Sequence, residues 1–398
     1  MIRFTFIIFL VLTGCSEKQN EKFNSDVRIV ESLTPMFKDS FWTVSEEPAL
    51  SIGLEDGSSD YQFYRSFSAK KLTNGNFVVT NSGTSEIRWY EGDGSFIKSA
   101  GREGRGPGDF AKFSSMRIHK YTDSLLIVTD GRNDRIHLYD TSGEYIEAKN
   151  LPKIDGTSFP NLTNVFSNND FLVWSNVGSG ALQGNPGTLI KLKFGLHRIS
   201  KDWNYESLIV ERNSRVRYVN QVGETTNYPY IPFSPPPSYA TGTENNVFFT
   251  PGDEPKIELI DSSGVILNAF IWNSPRKKVD DVWERYKEES LNTLSGNREK
   301  QYRHFYSEPL PLPKFVPAIS ELKTDTQGNI WAKRFTLPWE TNKTWDVLNT
   351  EGLWLGTLST PEGMSVTEIG KDYILGYTYI NGFQQIVMYN LNKNYETE

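Results

Sequence analysis

One stretch of the sequence decides the fold: DGRNDRIHLYDTSG, residues 130–143. It follows the apolar run 124–129, so this part of the chain reads as a strand, a polar turn, a second strand that ends in an aromatic residue, and an acidic turn with glycine. The same order occurs upstream in residues 76–94. The closing glycines, Gly94 and Gly143, lie 49 residues apart, a period within the range of β-propeller blades and their longer variants.

The pattern recurs along the whole chain, in four clear units and two degenerate ones. In chain order, the units centre on residues 76–94, 124–143, 170–192, 246–264, 329–352 and 372–389. Each unit offers four strands, and blades of this kind stack around an axis and leave few exposed edges. The sequence therefore predicts an all-β fold, a six-bladed β-propeller. A β-sandwich or an open antiparallel sheet would use the same number of strands, but repetition at one period favours the propeller.

The last unit predicts how the ring closes. Its third strand ends near Asn390, and the eight remaining residues are too few and too polar for a fourth strand. The run 48–54 lies upstream of the first inner strand, at 63–72, and belongs to no other unit. We therefore expect the ring to be closed by an N-terminal strand, which would join the two chain ends without a disulfide.

Two motifs resemble a known family. Residues 130–143 look like the NHL-type blade signature, and GREGRGPGDF, residues 101–110, resembles the inter-blade loop of six-bladed β-propeller lipoproteins common in Bacteroidota. The strong match covers residues 67–152, and the later units match in pattern only. Because many functions share this fold, the resemblance implies the architecture rather than an activity.

The N-terminus has the pattern of an export signal. Arg3 precedes the apolar run 4–13, which is about half of the roughly 20 residues that a membrane-spanning helix needs. The segment LTGC, residues 12–15, resembles the lipobox of bacterial lipoproteins. That resemblance implies cleavage before Cys15, lipidation of its thiol, and a lipid-anchored place in the bacterial cell envelope, at the outer membrane. The alternative is an inert cysteine in an ordinary signal peptide.

These signals divide the chain into three parts. Residues 1–14 form the predicted signal peptide, residues 15–47 the lipidated Cys15 with a tether and lead-in, and residues 48–398 the propeller. One helical insertion is expected between blades 4 and 5, at about 278–317. Its helix, at 278–294, has acidic residues at its start and apolar residues spaced by three and four. The apolar stripe either packs on the propeller rim or contacts a partner.

The composition excludes several functions. The chain carries 42 Lys and Arg against 49 Asp and Glu, a net charge of −7, so we expect no nucleic-acid partner. The single cysteine is assigned to the lipid, which leaves no thiol for a zinc site or a nucleophile. The four histidines, His119, His137, His197 and His304, are scattered over different units. We therefore predict no catalytic residue, no metal ligand and no cofactor.

One metal site stays open at this stage. Six-bladed propellers can hold Ca²⁺ on their axis with carboxylates from different blades, and no local motif would reveal such a site. Glu321, Asp325 and Glu368 are the candidates.

Strand parity predicts which face binds a ligand. In a four-stranded antiparallel blade, the loops between the second and third strands share one face with the links between blades, and these connections are long here. Arg102, Arg105, Arg132 and Arg135 fall in such loops of the first two blades and form a candidate site for a carboxylate, sulfate or phosphate. The alternative is that Arg132 and Arg135 pair with neighbouring acidic residues, namely Asp130, Asp134, Glu103 or Asp109, and hold the loops together.

An aromatic and proline-rich segment, residues 228–239, lies on the same face. Tyr228, Tyr230 and Phe233 are candidate ligand-binding residues, because rings on a stiff backbone stack on sugar faces or grip a peptide. Packing of the segment on its own propeller is the equally weighted alternative.

Together these features predict a lipid-anchored, non-catalytic binding or scaffold protein. Its partners would be the membrane, through the N-terminal lipid, and a glycan, a peptide or another envelope protein, through the long-loop face. The second hypothesis is a propeller hydrolase or lyase that uses an axial metal or a histidine.

Overall fold

The structure is a computed structural model that describes residues 23–37, 42–54, 57–132, 134–178 and 180–393, with side chains described from residue 27 onward. The predicted signal peptide, the lipid site Cys15 and the tether up to residue 22 lie outside the described residues.

The strands follow the apolar and alternating runs of the sequence. In chain order, the first are β1 Phe23–Ser32, β2 Trp42–Val44, β3 Leu50–Ile52, β4 Ala69–Lys71, β5 Phe77–Asn81, β6 Glu86–Tyr90, β7 Phe96–Ala100, β8 Met116–Lys120, β9 Leu125–Asp130, β10 Arg135–Asp140 and β11 Tyr145–Asn150. The middle ones are β12 Thr157–Val165, β13 Phe171–Val177, β14 Leu189–Ile190, β15 Lys193–Ile199, β16 Tyr205–Asn213, β17 Arg217–Tyr218, β18 Asn220–Val222, β19 Thr225–Asn227 and β20 Ser238–Thr241. The last are β21 Val247–Thr250, β22 Lys256–Ile260, β23 Ile266–Trp272, β24 Ile319–Thr324, β25 Ile330–Arg334, β26 Lys343–Leu348, β27 Trp354–Thr360, β28 Ser365–Ile369, β29 Tyr373–Ile380 and β30 Phe383–Lys393.

These strands build the six predicted blades, which confirms the fold class. Blade 1 contains β4 to β7, blade 2 β8 to β11, blade 3 β12, β13, β15 and β16, blade 4 β20 to β23, blade 5 β24 to β27, and blade 6 β28 to β30. The first strand of each blade is the inner one, and inner strands of neighbouring blades lie side by side around the channel. Two small sheets lie on the long connections: β18 pairs with β19 in the link between blades 3 and 4, and β17 of the same link pairs with β14, which lies in the loop between β13 and β15 of blade 3.

The ring is closed by N-terminal strands, as predicted. β3 pairs with the outer edge of β30, with Ile52 opposite Ile386. β2 pairs with the far end of the same strand, with Trp42 opposite Lys393. Trp42 is 3% exposed, and its ring centroid lies 5.7 Å from that of Trp331 in blade 5. The closure therefore uses two short strands, one more than the sequence indicated.

β1 is an element that the sequence did not reveal. It adds a fifth strand to blade 4 and runs parallel to β23, with Phe23 opposite Ile266 and Ser32 opposite Trp272. β1 covers much of the lead-in predicted for residues 15–47. Since β23 runs from the short turns toward the inter-blade links, β1 enters the ring at the face with the short turns.

The glycine at the end of each repeat has a structural reason. Gly143 has a φ of +91°, and a Cβ on it would lie 3.2 Å from the ring of Trp89 in the preceding blade. Gly352 has a φ of +85°, and a Cβ there would lie 2.0 Å from Phe270 in the preceding blade. The repeat glycine therefore serves both a left-handed turn and close packing between blades.

The helical insertion lies between β23 of blade 4 and β24 of blade 5, as predicted. Its helices are α1 Trp283–Asn292 and α2 Gly296–Ser307, of which the sequence predicted only the first. Trp283 and Tyr286 pack with Phe233, Val316 and Leu337 in a local core. The apolar stripe of α1 thus faces this protein's own long-loop segment. Neither helix in the described residues has the length and apolar character to span a bilayer.

The main core is divided among the gaps between blades. One cluster of buried residues fills each gap, and the cluster between blades 6 and 1 includes Ile52 of the closing strand together with Phe77, Tyr90, Leu375 and Ile386. Because each blade packs only on its two neighbours, the packing of every blade depends on a complete ring. A short 3-10 helix, Ser59–Tyr61, leads from the closing strand into blade 1.

Candidate functional site

The two faces of the ring differ as strand parity predicted. The long-loop face carries the links between blades, at residues 101–115, 151–156, 214–237 and 273–318. The short-turn face carries the connections from the inner strand to the second strand of each blade. Every inner strand starts at the long-loop face, and the mouth of the channel there is lined by residues near the starts of β8 and β20 and by the middle of the longer β12.

A cavity of about 410 Å³ lies at this mouth, against blades 2 to 4. Three neighbouring inner strands supply its wall, and the link between blades 3 and 4 supplies its outer side. Its lining residues are Arg117, Asn161, Thr163, Trp174, Ser214, Arg215, Tyr230, Pro236, Pro237 and Tyr239. We refer to it as the mouth cavity.

The cations of the mouth cavity have no acidic partner. Within the described ranges, neither Arg117 nor Arg215 forms an ion pair, and the same holds for Arg217 beside them. Arg215 is held in place because its Nε donates to the carbonyl of Ser234 at 3.0 Å. Burial lowers the pKa of Arg215, which reflects the cost of keeping this charge away from water. The site therefore presents fixed positive charge that an anion would neutralise.

Aromatic rings lie next to these cations. The guanidinium carbons of Arg215 and Arg217 lie 4.0 and 3.8 Å from the ring centroid of Tyr230. Arg217 also donates to the hydroxyl of Tyr230 at 2.5 Å and to the carbonyl of Tyr228 at 2.8 Å. Stacking on arginine fixes the ring of Tyr230, which is 37% exposed, in a defined orientation. Trp174 supplies a further ring to the lining.

Tyr239 is a half-buried member of the lining whose hydroxyl is shielded from solvent. Burial raises the pKa of its hydroxyl to about 12, against the opposing effects of Thr163 and Arg117. The hydroxyl is therefore protonated at neutral pH, and it serves as a hydrogen-bond donor rather than as a base.

Below the mouth, charged side chains on the inner strands form two ion-pair networks. Glu368 of blade 6 lies 3.5 Å from the Nζ of Lys70 in blade 1 and 2.9 Å from that of Lys120 in blade 2, and it accepts a hydrogen bond from Tyr373. Burial alone would raise the pKa of Glu368, but Lys70 and Lys120 hold it below its usual value. Burial also lowers the pKa of Lys70. We call these residues the Glu368 network.

The second network belongs to blade 5. Glu321 lies 2.9 Å from the Nζ of Lys323 and 3.4 Å from that of Lys333. Burial opposes ionisation of Glu321, but the two ammonium groups lower its pKa. Two carboxylates and four lysines thus give this part of the channel a positive balance, although the whole chain is acidic.

The arginine patch predicted from the sequence lies on the long-loop face, and its members differ in their contacts. Arg102, whose side chain is 82% exposed, pairs with Asp109 at 3.0 Å. Arg135 donates to the carbonyl of Arg105 at 3.3 Å. In the described part of the chain, the guanidinium groups of Arg105 and Arg132 form no ion pair. Arg102 and Arg135 therefore hold loops together, although not through the acidic pairs considered for Arg132 and Arg135, and Arg105 and Arg132 keep guanidinium groups without an ion pair in the described residues.

The three predicted aromatic residues also differ in their positions and contacts. Tyr230 lines the mouth cavity, and Tyr228 contributes the carbonyl that orients Arg217. Phe233 is 2% exposed, and its centroid lies 4.6 Å from that of Tyr286 in α1. Phe233 is therefore mainly a packing residue between the segment and the insertion, although it borders a second cavity.

The histidines do not converge on a site. Burial, with Lys70 and Arg117 nearby, lowers the pKa of His119 to about 3. His137 packs 4.5 Å from Phe110, and His197 lies 2.8 Å from the hydroxyl of Ser175, deep in blade 3. His304 bonds to Asn220 beside α2.

The axial carboxylates do not form a cation site either. Glu321 and Glu368 are each paired with two lysines, and Asp325 lies 3.5 Å from Lys393. No group of three or more His, Cys, Asp or Glu with metal-binding geometry occurs in the described residues.

The opposite mouth of the channel holds a larger cavity of about 580 Å³. It is lined mainly by the short turns, with hydroxyl groups such as those of Thr73, Thr241 and Thr324. Two of its charged side chains are already engaged: Lys120 pairs with Glu368, and Asp325 accepts hydrogen bonds from its own turn. We therefore consider the mouth cavity on the long-loop face to be the stronger candidate.

The sequence predicted this face, but most residues that line the mouth cavity could not be predicted from it. Arg117, Asn161 and Thr163 come from inner strands, where alternation alone does not tell a channel-facing position from any other. The pair Arg215 and Arg217 was the available signal, because it lies in the same long link as Tyr228 and Tyr230.

Comparison with known proteins supports the architecture. The family model described as a 6-bladed beta-propeller, DUF5128, matches residues 63–174. No curated protein matches the sequence. Among solved structures, the chain is similar to a member of the DUF4221 family from Bacteroides vulgatus, with a TM-score of 0.50, 12% identity, and coverage of 89% of this chain and 99% of that chain.

Two further solved structures are similar at lower scores. One is a protein from Bacteroides fragilis described as exported, with a TM-score of 0.47, 13% identity, and coverage of 93% of this chain and 100% of that chain. The other is a gluconolactonase from Xanthomonas campestris, with a TM-score of 0.41, 11% identity, and coverage of 88% and 100%. At these identities the likeness concerns the fold alone.

Proposed function

We propose that this six-bladed β-propeller is a lipid-anchored protein of the bacterial cell envelope that binds an acidic glycan at the mouth cavity. One observation carries the proposal: two arginines without acidic partners, Arg117 and Arg215, line the same cavity as Trp174, Tyr230 and Tyr239. Guanidinium groups bind carboxylates and sulfates in a bidentate manner. Trp174 and Tyr239 beside them offer apolar ring surface to sugar rings, whereas the ring of Tyr230 is already stacked with Arg215 and Arg217.

The lining favours binding over turnover. Glycoside hydrolysis commonly uses a pair of carboxylates, and the residues that line the mouth cavity include neither a carboxylate nor a histidine. The phenol of Tyr239 has a pKa raised to about 12 by burial, so it does not act as a base at neutral pH. The hydrolase or lyase hypothesis therefore gains no support from this cavity.

Binding to acidic oligosaccharides tests the proposal directly. The full chain, purified in detergent, should bind members of an array of uronic-acid and sulfated oligosaccharides, and it should bind their neutral counterparts at least about tenfold more weakly. Because the attraction is electrostatic, affinity should fall as salt is raised. We expect Arg117→Ala to weaken binding about tenfold or more, since Arg117 is exposed and has no structural partner to lose.

Two matched variants interpret this result. Arg132→Ala removes another exposed arginine of the same face, from the predicted patch, and should leave the affinity within twofold of wild type. An equal or larger loss in Arg132→Ala would move the site to that patch. Absence of binding to every acidic oligosaccharide, or release of cleaved products from them, would overturn the binding function proposed here.

The lipid anchor has its own test. Expressed in a bacterial host fed with an alkyne-labelled fatty acid, the wild-type chain should become labelled and Cys15→Ala should not, because the thiolate is the acceptor in this pattern. Thr13→Ala keeps a small residue before the cysteine and should still be labelled. Persistent labelling of Cys15→Ala would refute the anchor.

A further inference from the structure

Phe159 combines exposure with an unfavourable backbone conformation. It lies in the first half of β12, is 67% exposed, and has a φ of 54°. A bulky residue with positive φ is a genuine outlier, because its Cβ crowds the backbone. In the described residues, no ring stacks on Phe159 and no cation lies over it. The positive φ belongs to a β-bulge, because the pairing of β12 with β13 shifts between Ser158 and Asn161. Bulges of this kind re-aim a side chain and are common next to functional sites, and here the bulge leaves an apolar ring in water.

Phe113 shows the same combination in the next blade. It has a φ of 54° and is 43% exposed. The guanidinium of Arg65 lies 5.8 Å and the Nζ of Lys112 lies 5.5 Å from its ring centroid. Phe113 and its two cations therefore form an exposed group of a ring and positive charges, similar to the arginines and rings of the mouth cavity.

Both rings come shortly before residues that line the mouth cavity. Phe159 comes two residues before Asn161 on the same inner strand, within the β-bulge between Ser158 and Asn161. Phe113 comes four residues before Arg117, in the link that leads into β8, the inner strand next to β12. Both Asn161 and Arg117 line the cavity. The two phenylalanines therefore extend its lining toward solvent, from blade 3 to blade 2.

We infer that the ligand is a chain of several acidic sugar units, of which one enters the mouth cavity and others stack on Phe159 and Phe113. This inference rests on the proposed function. A single acidic sugar would fill the cavity and leave both rings in water. Units further along the chain would cover the rings and place their acidic groups near Arg65 and near Lys112, whose Nζ also lies 3.5 Å from Glu103.

The rim fits a glycan better than an acidic peptide. Extended peptides commonly bind by adding a strand to an exposed sheet edge, so that main-chain hydrogen bonds supply the affinity. The rim instead offers ring faces and cations, which match the flat apolar faces and the acidic groups of a polysaccharide. Backbone strain that is kept at an exposed position marks a functional contact in many proteins.

The dependence of affinity on chain length tests this inference. With acidic oligosaccharides of one to eight units and the full-length wild-type protein, we expect the longest to bind at least about tenfold more tightly than the monomer. Phe159→Gly and Phe113→Gly should each remove about fivefold of that gain, as expected for the loss of one stacked ring. Binding of the monomer should stay unchanged in both variants.

Two controls separate loss of contact from loss of fold. Because glycine readily adopts a positive φ, Phe159→Gly should keep or raise the thermal midpoint of unfolding. Phe383→Ala removes an exposed phenylalanine on the same face but in blade 6, away from the cavity. It should leave the affinities for the monomer and for the longest oligosaccharide unchanged.

The outcomes distinguish this inference from the proposed function. Equal affinity for monomer and octamer, or unchanged octamer binding in Phe159→Gly, would overturn the multi-unit site while the acidic-glycan function stands. Failure to bind any acidic saccharide would overturn both. Tight binding of poly-glutamate with the same dependence on Phe159 and Phe113, without saccharide binding, would replace the glycan by an acidic peptide.

Discussion

A chain that starts at residue 55 should fail to form a cooperative fold, whereas a chain that starts at residue 33 should fold. The first lacks β2 and β3, and the second lacks only β1. Without β2 and β3, the outer edge of β30 is unpaired, and the gaps beside blade 6 lose Trp42 and Ile52. Loss of a buried tryptophan alone typically costs about 3–5 kcal/mol, and a free strand edge promotes aggregation.

Thermal melting followed by circular dichroism, together with gel filtration, measures this difference. The chain that starts at residue 33 should melt in one sharp transition, and the chain that starts at residue 55 should show no such transition or should aggregate. A synthetic peptide of residues 40–56, added in excess, should restore the transition because it supplies both strands. Equal midpoints for the two truncated chains would show that the ring does not need its closure.

The second large effect concerns the Glu368 network. Glu368→Gln should lower the free energy of unfolding by about 3 kcal/mol at pH 7, because removal of one member of a buried ion pair leaves the other charge without its partner. The side chains of Glu368 and Lys70 are 7% and 22% exposed, so water compensates only in part. Urea unfolding of the wild type and the variant gives this difference.

Urea unfolding at lower pH shows whether the loss of stability in Glu368→Gln depends on the charge of Glu368. The folded-state pKa of Glu368 is depressed, so its ionised form contributes stability above the unfolded pKa of about 4.3, and the contribution is lost as the pH falls through the folded pKa. The gap between wild type and Glu368→Gln should therefore shrink below about pH 4. A gap that stays constant with pH would assign the loss to packing instead of charge.

An exposed ion pair is the matched control. Glu144, whose side chain is 72% exposed, pairs with Lys98 on the outer surface. Glu144→Gln should change the free energy of unfolding by less than about 1 kcal/mol, as is usual for surface pairs.

The sequence predicted the repeating features and missed the unique ones. The glycine at positions such as Gly143 and Gly352 recurs in the four clear units because each of those blades makes the same turn against its neighbour, and the two degenerate units completed the count of six. The closure was predictable because the sixth unit ended one strand short. β1 could not be predicted in this way, because blade 4 already has its four strands and the repeat gives no reason to expect a fifth.

The candidate site was predicted only by its face. Alternation along an inner strand indicates that every second side chain faces the channel, but it does not show which blades contribute to one cavity. Arg117 and Arg215, nearly 100 residues apart, meet only because blades 2 and 3 are wrapped around the axis. By contrast, Arg102 and Asp109 lie in one loop, so their ion pair is local, although the sequence alternative named Arg132 and Arg135 as the paired arginines.

The parallel pairing of β1 with β23 has a mechanical consequence. A pull on the N-terminus acts along β1, so it loads the main-chain hydrogen bonds of the whole strand together in shear instead of opening them one at a time. The force then passes into the outer strand of blade 4. The closing strands β2 and β3 lie further along the chain and are shielded from it. In a protein tethered at this end, β1 would carry the pulling force and keep it from β2 and β3, the strands that close the ring.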